Sequence, residues 1–168
     1  MTLPVIPWAD VGTRAPTSLE RAGMVVDLRR CIGCHACSVA CKTEHGVPLG
    51  TFRMRVRWLP RPDRPTVAFL PLFDAELCDF GSNRQRHGLE PACVSACPTD
   101  ALIFGDLADP DAKVTRVAQQ HEARPFEAEE AKLKEDVLYI DQEPWQAAMV
   151  HRGCPLDPRD PDMIYEQR

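Results

Sequence analysis

The chain has 168 residues and a formal net charge of −5, which bounds it to one domain, or one small core with long extensions. The acidic balance excludes a partner in nucleic acid, whose phosphates call for a basic footprint. A hydrophobic fraction of 44% permits a core, while sixteen prolines and nine glycines predict many irregular connections and few long elements.

Residues 1–23 read as an irregular N-terminal arm carrying Pro4, Pro7, Gly12 and Pro16. The arm has no charged start followed by an apolar block, so no secretory signal is expected. No apolar run in the chain reaches the length of a bilayer span. The expected location is therefore cytoplasmic, or membrane-associated within a complex, and periplasmic only if a partner carries the chain across.

MVVDL (24–28) reads as a short strand leading into CIGCHACSVAC (31–41), which holds Cys31, Cys34, Cys37 and Cys41. ACSVACKTEH (36–45) then reads as a short helix. Disulfides, zinc and iron–sulfur clusters compete for these thiols. The four cysteines are too close in sequence to cross-link distant parts of a fold. Zinc prefers two separated CxxC pairs, and no second CxxC exists downstream. A C-x2-C-x2-C-x3-C run suits iron–sulfur chemistry, because three thiolates converge on one cluster while the fourth reaches a different one.

That fourth thiol sets up an exchange. If Cys41 leaves its own loop, a later cysteine must complete the first set. In CVSACPTDA (93–101), Cys93-x3-Cys97-Pro repeats the spacing of Cys37-x3-Cys41 and supplies the proline absent after Cys41. The spacing therefore assigns Cys31, Cys34, Cys37 and Cys97 to a [4Fe–4S] cluster, and Cys41, Cys78 and Cys93 to a second. Symmetry asks for a further ligand at position 81, where the chain has Gly81. A [3Fe–4S] cluster is favoured for the second site over a [4Fe–4S] cluster completed by Asp79, Ser82, His87, Cys154 or water, and over an empty site. Cys154 otherwise reads as a small buried apolar residue. His35, inside the first loop, reads as solvent-facing, with tuning of the cluster potential as the sharper role. His45, His121 and His151 have no evident partners.

Between the motifs, RMRVRWL (53–59) alternates. Arg53, Arg55 and Arg57 fall on one side and Met54, Val56 and Trp58 on the other, the period of a half-buried strand. PRPDRP turns the chain and TVAFL (66–70) returns as its hairpin partner. The arginine row reads as a solvated face, with a docking strip for an acidic surface or anionic cofactor as the alternative. After Cys97, ALIFG (101–105) is a second strand. ADPDAKVTRVAQQHEA (108–123) opens a helix with Asp109 as N-cap and Pro110 in the first helical position. Residues 122–136, rich in Glu and Lys, read as surface. The tail from Pro144 reads as extended and suited to wrapping a partner.

CIGCHACSVACKTEHGVPLGTFRMRV and CDFGSNRQRHGLEPACVSACPTDALIFGDLADP resemble the first and last cysteine motifs of the iron–sulfur subunits of the dimethyl sulfoxide reductase family. VLYIDQE, from residue 137, resembles the strand that follows. The likeness covers about residues 24 to 141 and rests on paired, spaced motifs. It implies an α+β fold: a ferredoxin-like two-cluster core over 24–141 with a hairpin insertion at about 52–72, flanked by arms at 1–23 and 142–168. Members typically carry four motifs and four clusters. Here FLPLFDAEL runs straight into Cys78, so the middle motifs are missing and one two-cluster module with them. The resemblance implies a non-catalytic subunit. It would relay electrons between a molybdopterin catalytic subunit and a quinone-reactive membrane subunit or soluble carrier. A free-standing ferredoxin and a zinc-binding interaction module are the alternatives.

Overall fold

The computed structural model describes residues 19–126, 128 and 132–151. Four strands form one sheet: β1 (Ala22–Asp27), β4 (Leu102–Asp106), β5 (Arg124–Pro125) and β6 (Val137–Ile140). Their order is β4-β1-β6-β5, with β1 antiparallel to β4, parallel to β6, and β5 antiparallel to β6. A separate hairpin pairs β2 (Met54–Pro60) with β3 (Val67–Phe73), in register from Met54↔Phe73 to Pro60↔Val67. The helices are short: α1 (Ala36–His45), α2 (Ser82–Arg86), α3 (Ala92–Ser95), α4 (Lys113–Gln120) and α5 (Pro144–His151). The chain is thus α+β, with short strands and short helices, as the sequence predicts.

Strand β1 is buried on both faces, and its period of two sorts its side chains into separate layers. Met24 and Val26 belong to the core cluster that also contains Cys37, Cys41 and Cys93. Val25 turns the other way and packs with Ile103, Ile140 and the Val114 and Ala118 side chains of α4. One face of the sheet therefore carries α4 and the other carries the cysteine layer.

Several elements depart from the sequence reading. Helix α4 begins at Lys113 with Ala112 as its N-cap residue, later than expected. Asp109 is used up in a turn instead: its carboxylate accepts the Asp111 N–H at 2.9 Å and its carbonyl the Ala112 N–H at 3.2 Å. Residues Pro144–His151, the start of the expected extended tail, form α5. Trp145 and Met149 pack against the main core, and the Arg61 guanidinium lies 5.6 Å above the Trp145 ring while its Nη1 donates to Glu143 at 2.7 Å. Within the Glu- and Lys-rich stretch, Phe126 is buried and meets Tyr139 edge-on at 5.5 Å.

The arginine row is not a solvated face. Arg57 is buried at 4% exposure, whereas Trp58, expected inside, is 46% exposed. The ladder is unbroken, so the alternation itself holds; what changes is which face is covered along its length. At the Met54 end the even-numbered face is sealed, and at the Leu59 end the odd-numbered one. Both ends of the chain, residues 1–18 and 152–168, lie outside the described residues, and so does Cys154.

Candidate cluster-binding site

The first loop is built on left-handed backbone. Gly33 has φ +68°, and an added Cβ would stand 2.2 Å from Phe69 Cδ1, so only glycine lets the loop press against β3. His35, at φ 61°, is the N-cap residue of α1. The helix ends at Gly46, also left-handed, whose N–H returns to the Lys42 carbonyl. Cys37 and Cys41 lie four residues apart on this helix and are both buried, which puts them one turn apart on one face.

The seven described cysteines are all free of disulfides. They divide between two cavities, each enclosing about 320 Å³ of space outside the atoms, open solvent at the mouth included. Cys31, Cys34, Cys37 and Cys97 line one; Cys41, Cys78 and Cys93 line the other. Helix α1 serves both, giving Cys37 to the first and Cys41 to the second. Among the described residues, no three His, Cys, Asp or Glu side chains close on one point as a single metal ion requires. The sulfurs line the two cavities instead.

The electrostatics of the sulfurs agree with that donor role. Burial pushes the Cys37 thiol up to about 12 and Cys41 up to about 11, and it also raises Cys31, Cys78 and Cys93. A buried thiolate is costly, so as thiolate ligands these sulfurs would need a cationic core to compensate the charge. Backbone N–H groups already point at them: Gly33 at Cys31, Ser38 at Cys37, Phe80 at Cys78 and Val94 at Cys93. At Cys97 burial pushes the thiol up, but the N–H groups of Thr99, Ala101 and Leu102 outweigh it and hold the thiol below its ordinary value. The Ala101 N–H lies 3.3 Å from that sulfur. Buried sulfurs ringed by amide donors around a shared space fit iron–sulfur clusters.

The wall of the first cavity includes Val56 and Pro71 from the hairpin. Trp58 donates its indole N–H to the Gly33 carbonyl at 3.2 Å and meets Phe69 edge-on. His35 is half-buried rather than solvent-facing, with its ring 6.1 Å from that of Trp58. Cys34 is the exposed sulfur of this set.

At the second cavity Gly81 has φ +70°, and a Cβ there would stand 3.2 Å from Pro91 Cα. The loop is shaped around a glycine at the position where a ligand was sought. Asp79 lines the cavity, but its carboxylate is engaged. It accepts from the Gly81 N–H and the Ser82 hydroxyl, each at 2.9 Å, and from Arg53 Nη2. Ser82 is thereby also committed, and His87 is exposed and does not line the cavity. The sequence reading did not place two of the lining residues, His45 and Arg53, at this site. His45 follows Cys41 by four residues on α1, a spacing that would have marked it. Arg53 carries no local signal, because its partner Asp79 lies 26 residues on.

No family model matches the chain. Among curated proteins it is similar to the B component of the polysulfide reductase of Wolinella succinogenes, at 27% identity over 65% of this chain and 89% of that one. It is 33% identical to a putative dimethyl sulfoxide reductase iron-sulfur subunit of Halobacterium salinarum, over 73% of this chain and 47% of the relative. With the B component of the tetrathionate reductase of Salmonella typhimurium it shares 28% identity, over 61% and 64% of the two chains. The chain thus spans between about half and nine tenths of these relatives' lengths. With its cysteines gathered around two cavities, the chain belongs to the iron–sulfur subunits of the dimethyl sulfoxide reductase family.

Proposed function

We propose that this chain relays electrons between a molybdopterin-containing catalytic subunit and a second redox partner. That partner is a quinone-reactive membrane subunit or a soluble carrier, and any association with the membrane comes through it. In this reading Cys31, Cys34, Cys37 and Cys97 hold a [4Fe–4S] cluster, and Cys41, Cys78 and Cys93 hold a [3Fe–4S] cluster. Bound clusters supply one-electron chemistry at potentials set by their surroundings.

The observation that carries the reading is the division of seven sulfurs between two cavities that share helix α1. The chain's own part is to hold these sulfurs on rigid backbone, to direct amide N–H groups at them and to exclude water with the hairpin. The three-iron assignment is supported by the left-handed Gly81 and by the engaged carboxylate of Asp79. A second reading has one observation in its favour. The His45 side chain lines the same cavity, so it could complete a four-iron cluster.

Anaerobic purification with metal and sulfide analysis tests the reading. Roughly seven irons per chain, with labile sulfide and a three-iron EPR signal in the oxidised state, are expected. Co-purification with a molybdenum-containing chain is expected as well. Roughly eight irons without that signal would favour the His45 reading, and zinc without sulfide would overturn both.

A further inference from the structure

The two cavities differ in charge. Among the described residues, no Asp, Glu, Lys or Arg lines the first. The second is lined by both Arg53 and Asp79. Arg53 is held in place: its side chain is 19% exposed, and it donates to an Asp79 carboxylate that also accepts from the Gly81 N–H and the Ser82 hydroxyl. A second cation stands close, since the Lys134 ammonium lies 5.5 Å from the centroid of the Phe80 ring, and Phe80 is part of the cavity wall.

A fixed positive charge beside a redox centre stabilises the state carrying one more electron. The effect is larger where burial weakens screening by water. Local charge and hydrogen bonding are the levers by which a protein sets a cluster's potential. We propose that Arg53, locked in position by Asp79, raises the reduction potential of the second centre selectively, and that Asp79 sets how far by offsetting part of the charge. Arg53 and Asp79 act on the centre through charges of opposite sign, and Asp79 also holds Arg53 in place. The inference rests on the reading that Cys41, Cys78 and Cys93 hold a cluster.

Potentiometric titration followed by EPR, on the intact complex containing the full chain, tests it. Arg53→Gln is expected to shift the reduction equilibrium of the second centre about tenfold toward the oxidised form, a fall of about 59 mV for one electron. The first centre should keep its potential. Arg53→Lys, which keeps the charge, should retain most of the wild-type value. Asp79→Asn should move the second centre the opposite way, upward, which a purely structural role for the pair would not produce. An unmoved second centre in Arg53→Gln, or equal shifts in both centres, overturns the proposal while leaving the cluster assignment standing. If Arg53→Gln fails to assemble the second cluster, the Arg53→Lys and Asp79→Asn potentials decide, and an unmoved or lowered Asp79→Asn value overturns it. Absence of any second-centre signal in the unaltered protein, with roughly four irons per chain, removes the cluster reading and this inference with it.

Discussion

At Gly33 a single hydrogen separates a working loop from a collision. The residue sits at φ +68°, and the nearest atom to an added Cβ is in the Phe69 ring at 2.2 Å. Left-handed backbone costs an L-residue about 1–2 kcal/mol before any clash is counted, and the ring would also have to move. Gly33→Ala should therefore destabilise the protein by at least that amount in chemical denaturation. It should also deplete the first cluster more than the second, read by iron content and EPR. A variant with full iron and unchanged stability would contradict the account. Spacing along the chain proposes at this scale which sulfurs share a cluster, and the same sulfurs line a common cavity. Arg53 was not legible in this way, since its meaning depends on a residue brought to it by the fold. Alternation placed Arg53 on a face but could not say that the face ended beside Cys78.

Among the elements, the hairpin shows what periodicity can and cannot tell. The alternation from Met54 to Leu59 correctly predicts a strand, and the return strand follows as expected. Periodicity cannot reveal that both faces are covered, each at a different end. That depends on Trp58 settling on the cysteine loop and on the core that gathers beyond Leu59. Helix α5 was missed for the same reason: Pro144 suits a first helical turn as well as an extended tail, and its packing partners, such as Arg61, are far away in sequence. One contact ties the hairpin to the main sheet. Tyr139 of β6 is buried and donates its hydroxyl to the Pro71 carbonyl of β3 at 2.8 Å. Tyr139→Phe keeps the ring but leaves that carbonyl without its donor. It should cost about 1–3 kcal/mol in equilibrium unfolding. A change within error would mean that this hydrogen bond adds nothing to the hold on the hairpin.

Across the whole molecule, one helix reaches from one cavity to the other. Helix α1 carries Cys37 to the first and Cys41 to the second, and Cys93 and Cys97 make the reverse crossing around α3. That α1 would serve both cavities could be read from spacing, because three intervening residues make about one turn and so separate Cys37 from Cys41 along the helix. The sheet order and the covering of the hairpin could not, since they depend on pairings between β1, β4 and β6 that lie far apart in sequence. The central claim is this crossing, and paired cysteine variants test it most directly. Cluster content of Cys97→Ala and Cys41→Ala would be measured by EPR in the reduced and oxidised states. The account predicts that Cys97→Ala loses the first centre and keeps the second, while Cys41→Ala does the reverse. Loss of the first centre in Cys41→Ala with the second intact would contradict it.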